Sequence, residues 1–249
     1  RIQKVVGGDF SELMVGNVHR FCSKFLFEQG RIPADSAIID DEEAVSIIAD
    51  YRNEDEEGVT RDFNRYKGYQ TIIFFQHFIY QMEHQHPWKY YLHPESFTDD
   101  DREAVKHICA SQKIEYDEQA VVNIYHHAQE YMDEANAPGL DGKTADRIRV
   151  LLWKMYYANC YARYKEENHL FDFEDLLLYT YDIYRSDPTC KRYPWIQVDE
   201  VQDLNGMQLA IIDLLTAEDN PMVMYLGDEQ QAIFSFMGAK VETLTLLKM

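Results

Sequence analysis

The 249-residue sequence predicts an α/β protein, a partial parallel sheet interrupted by a large all-helical insertion. Three observations carry that expectation. Two short apolar runs, IQV at 196–198 and VMYL at 223–226, both end close to acids, as buried parallel strands do when their carboxyl ends face a ligand crevice. Through much of 31–169, apolar residues recur every three or four positions, the helical period. A hydrophobic content of 46% over this length is enough for one large core or two smaller ones.

Taken in order, RIQKVV at the start has the character of a helix tail. Residues 41–52 carry Ala44, Val45, Ile47, Ile48 and Tyr51 at helical spacing, with acids at the amino end where the macrodipole favours them. The acidic run at 53–58 reads as a solvated turn, and 61–82 as a long amphipathic helix. Thr98 and Asp101 predict a capping box for a helix reaching 111. Further helices are predicted over 117–135 and 144–168. APGLDGKT at 137–144 fits a loose phosphate-loop expression but follows a polar helical stretch instead of a buried strand. It reads as an interhelical turn in which Thr144 caps the next helix.

The chemistry concentrates near the end, in WIQVDEVQDLNGMQ at 195–208 and VMYLGDEQQAIFSFMGA at 223–239. In a nucleoside-triphosphatase, a carboxylate at a strand tip holds Mg²⁺ while its neighbour orients or deprotonates the water that attacks the γ-phosphate. Asp199 suits the first role and Glu200 the second. Many ordinary buried strands also end at an acidic turn, so the second segment supplies the needed context.

VDEVQD and GDEQQAIFSFMGA resemble motifs II and III of UvrD/Rep-type superfamily 1 helicases, whose usual forms are close to VDEFQD and GDxDQSIYxFRGA. VGNVHRFC at 15–22 resembles that family's GTFHSFC segment, and FDFEDLL at 171–177 its DFxDLL segment. The resemblance covers about the first thirty and last eighty residues. It implies a RecA-like P-loop NTPase sheet, with motor domain 1A split between 1–30 and 170–249 and a helical 1B-like insertion at 31–169. It implies ATP and Mg²⁺ as cofactors: Asp199 as the Mg²⁺ carboxylate, Glu200 as catalytic base, Gln202 and Asp228 at the nucleotide, and Gln231 as the γ-phosphate sensor. His19 would lie near the DNA backbone, and Phe234 and Phe236 would stack on bases, a contact every base can make. Two alternating phenylalanines also fit an ordinary core.

Departures from the pattern are Met237 at a common arginine position, Asn17 for threonine and Gln230 for aspartate. The phosphate loop and second motor domain of such helicases do not appear in these residues. The expectation is therefore a piece of a larger ATP-dependent helicase, inactive alone, whose complete form acts on single-stranded DNA and duplex junctions. Two alternatives stay open: a non-motor paralogue whose helical insertion binds a protein partner, and the motor subunit of an ATP-dependent helicase–nuclease.

The net charge of −20, from 24 basic and 44 acidic residues, opposes a broad nucleic-acid face and predicts weak DNA binding by this stretch alone. His77, His84, His86 and His93, with His126 and His127, lack recognised zinc-ligand spacing; they read as helix contacts or an exposed patch. Four dispersed cysteines without a CxxC pair read as reduced thiols of a cytoplasmic protein. No apolar run approaches the roughly twenty residues that span a bilayer.

Overall fold

Short polar side chains start most of the helices by taking up free amides of the first turn. The computed structural model describes residues 13–227. Asn17 caps α1 (Val18–Glu28), its Oδ1 accepting from the Arg20 amide at 2.8 Å. Asp40 and Glu43 form a reciprocal box on α2 (Asp41–Tyr51), while Asp55 and Asp62 cap α3 (Glu56–Arg61) and α4 (Phe63–Glu83). The predicted box of Thr98 and Asp101 opens α5 (Asp99–Gln112). Beyond lie α6 (Glu118–His126), α7 (Gly142–Glu167), α8 (Phe173–Ser186) and α9 (Gly206–Leu215).

Three local expectations are corrected. The acidic run at 53–58 is not wholly a turn, because Asp55 accepts from the Gly58 amide and starts α3. The helix predicted over 117–135 ends at His126; across 127–136 only Ala128 and Ala135 are buried, too little apolar surface to hold a longer one. The cap of α7 is Asp141, which accepts from the Lys143 and Thr144 amides, while the Thr144 hydroxyl donates to Asp141. The chain nevertheless turns before this helix, at 138–139, with Gly139 at φ +89°.

Two main groups of buried side chains form. The larger spans Ile39 to Tyr161 and joins α2 to α7; the other combines Cys22, Phe25, Leu26 and Ile32 with Leu92 and with residues from Phe171 to Leu215. Between them, β1 (Ala37–Ile38) and β2 (Leu170–Phe171) pair in parallel where the chain passes from one group to the other. A second parallel pair, β3 (Trp195–Val198) and β4 (Met222–Tyr225), follows α8. The molecule is thus a helix-rich α/β protein with small parallel sheets.

Candidate functional site

Strands β3 and β4 run side by side with Trp195 opposite Met222 and Val198 opposite Tyr225. Their ladder continues past the strands: the Leu226 amide donates to the Val198 carbonyl at 2.8 Å, and the Val201 amide to the Leu226 carbonyl at 3.0 Å. Asp199 and Glu200 lie between these two bonds, so the acidic tip of one strand is tied to the chain leaving the other. The strands are less buried than the sequence predicts. Trp195, Gln197, Met222 and Met224 are exposed, whereas Ile196, Val198, Val223 and Tyr225 face inward, giving one covered face and one open face.

Glu200 has left-handed backbone angles (φ 52°, ψ 43°), a conformation costing a residue with a side chain on the order of 1 kcal/mol. Both carboxylates are exposed. The Glu200 amide donates to Asp199 Oδ1 at 3.0 Å, and Gln202, itself buried, donates from Nε2 to Glu200 Oε2 at 2.5 Å. Gln202 therefore holds the Glu200 carboxylate in place. Gly227 packs against the same turn: a Cβ there would lie 2.5 Å from Gln202 Oε1 and 2.7 Å from Val201 Cγ1. Glycine is thus demanded at this point by close approach of the two segments.

The other two resembling segments converge nearby. Val18, next to His19 on α1, packs against the small cluster of Val198, Val201, Leu209 and Ile212 beneath the β3 tip. His19 meets the edge of Phe173, with ring centroids 5.9 Å apart at 82°. Burial pushes the His19 imidazole pKa down, with Glu174 opposing. Asp228, Gln231, Phe234, Phe236 and Met237 lie outside the described residues.

At the start of α8, Asp172 and Asp175 close a capping box, each accepting from the other's amide at 2.9 Å. Into this box project His77 from α4 and Tyr161 and Lys165 from α7. Asp172 accepts from His77 Nε2 at 2.9 Å, Tyr161 Oη at 2.8 Å and Lys165 Nζ at 2.7 Å. Lys165 also reaches Asp175 at 2.5 Å and Gln76 Oε1 at 3.1 Å. Burial works to raise the Asp172 pKa, but His77 and Lys165 overcome it and hold this carboxyl well below the usual range. Burial and the Asp172 charge push Asp175 the other way, up to about 6. Two carboxylates sharing one ammonium therefore resist ionising together.

His77, Asp172 and Glu174 are close enough to share a cation, but Asp172 is already occupied by donors that include the Lys165 ammonium. The donor set is balanced from within. Other histidines line helix contacts: His86 Nε2 lies 2.7 Å from Asp182, His93 stacks on Phe74, and His84 stacks on Tyr80. Sequence reasoning missed this cluster because its members are far apart in the chain, His77 and Asp172 by 95 residues. The one local signal was polar Gln76 and His77 inside the apolar run IIFFQHFI at 72–79.

The exposed carboxylates, the glycine-restricted turn and parallel strands mark an α/β protein with an acidic strand-tip site. A family model of the UvrD/REP helicase N-terminal domain matches residues 1–249, and the chain belongs to that family. It is 24% identical over 160 residues to a probable DNA helicase II homolog of Mycoplasma capricolum, a match spanning 59% of this chain and 21% of that protein. Identity with DNA helicase II of Escherichia coli is 36% over 97 residues, 37% of this chain and 13% of that relative. With an ATP-dependent helicase/nuclease subunit of Natranaerobius thermophilus it is 34% over 89 residues, 33% and 7% of the respective chains. The matches thus span about a fifth or less of these relatives.

Proposed function

We propose that these residues form part of the first motor domain of an ATP-dependent DNA helicase that translocates on single-stranded DNA. The observation that carries the reading is the parallel pairing of β3 with β4, which sets Val201 and Gln202, directly after Asp199 and Glu200, against Gly227. Exposed carboxylate oxygens at 199 and 200 are hard donors that suit Mg²⁺, and Gln202 braces Glu200. Asp199 would hold the Mg²⁺ of bound ATP, which neutralises charge on the phosphates. Glu200 would accept a proton from the attacking water. Asp228 and Gln231 would complete the nucleotide side, and His19, Phe234 and Phe236 would face DNA.

The proposed divisions are a motor part at 1–30 and 170–249, built on a RecA-like sheet, and a 1B-like insertion at 31–169. The two buried groups meeting at the β1–β2 pair support a division there, with Ile32 and Leu92 of the insertion packing on the motor side. A protein partner of the insertion would meet Trp88, which is exposed. The similarity to a helicase/nuclease subunit supports a second reading, in which the same motor serves a helicase–nuclease.

In the full-length protein, Glu200→Gln is expected to lower DNA-stimulated ATP hydrolysis by about 10²–10⁴-fold, the usual contribution of a general base. ATP binding, measured by equilibrium titration, is expected to persist. Wild-type turnover in that variant overturns the base assignment.

A further inference from the structure

Lys165 is a cation with 4% exposure, and no motif in the sequence accounts for it. It extends from α7 onto Asp172 and Asp175, the two side chains that close the first turn of α8. The next residue, Phe173, presents its ring to His19, and Glu174 acts on the His19 charge through space. Lys165 and His19 thus touch the same first turn of α8.

We propose that Lys165 is a positioning residue for the DNA side of the site: by bridging Asp172 and Asp175 it sets the first turn of α8 and, through Phe173, the orientation of His19. The naming of DNA as the ligand rests on the helicase reading above. Burying an ammonium and two carboxylates is costly, and an apolar contact of equal volume would stabilise the helices as well or better. What an apolar contact lacks is direction. The ammonium fixes two oxygens on successive arms of a capping box, and so fixes the rotation of α8 relative to α7.

The test uses the full-length protein and two variants. Lys165→Met removes the cation and leaves an uncompensated buried charge; Lys165→Met combined with Asp175→Asn removes the cation and one carboxylate together, which protects folding. Both are expected to raise the oligothymidylate concentration that half-saturates ATP hydrolysis by about tenfold, with turnover at saturating DNA within about twofold. In protein carrying ¹³C-labelled histidine, the His19 titration midpoint is expected to move by about half a pH unit or more. The double variant is expected to show these changes at a wild-type melting temperature, which a purely stabilising role would not produce. A double variant with wild-type melting, half-saturation and His19 midpoint overturns the proposal. If wild-type protein shows no DNA-stimulated hydrolysis, the helicase reading fails, and the His19 midpoint alone then decides whether Lys165 positions that ring.

Discussion

Replacing Asp175 with asparagine probes the shared charge at the start of α8 directly. Asp175 is buried, and its carboxyl is raised from an ordinary 3.8 to about 6 by burial first and by the Asp172 charge second, against Lys165 and His77. A carboxyl whose folded pKa lies above its unfolded value contributes stability that is complete below pH 3.8 and is lost as pH rises through about 6. At about 1.4 kcal/mol per unit, a rise of roughly two units amounts to on the order of 3 kcal/mol lost between about pH 4 and pH 7. Asparagine does not titrate and keeps a carbonyl oxygen for Lys165 and the Asp172 amide. Any constant effect of the substitution drops out when the same pair of proteins is compared at several pH values. Urea denaturation from pH 4 to pH 8 is expected to show the variant gaining on wild type by about 3 kcal/mol as pH rises, then levelling off. A difference that stays flat within about 0.5 kcal/mol, or that falls with pH, refutes the reasoning.

Gly227→Ala places a Cβ against Gln202 and Val201, both buried, and is expected to cost about 1–3 kcal/mol in urea denaturation while weakening ATP binding. Unchanged stability and affinity in that variant would show that the two strand tips do not need this close approach. Tyr161→Phe removes one donor to Asp172 and is expected to destabilise by about 1–3 kcal/mol, read as a lower denaturation midpoint with the slope unchanged.

Local chemistry made much of the fold legible. The Thr98 and Asp101 box, the long helix ending at Glu83 and the two strands before the acids are short-range patterns, and each appears close to where its residues predict. Asp141 displaced Thr144 as a cap because both are small oxygen-bearing side chains three positions apart, and only backbone angles distinguish cap from first turn. The helix after Asp117 ended early because sequence spacing does not reveal which residues find a partner surface.

The acidic strand tip follows the same division. Sequence alone determined that apolar runs deliver Asp199 and Glu200 to a strand end, because burial of β-branched residues and exposure of charge are properties of the residues themselves. Tertiary structure decided that β3 and β4 are parallel neighbours, that Gly227 must be small, and that His77, Lys165 and Asp172 meet. Those facts arise from contacts between residues far apart in the chain. Their energies depend on burial and on which charges share one site, and neither is carried by any single stretch of residues.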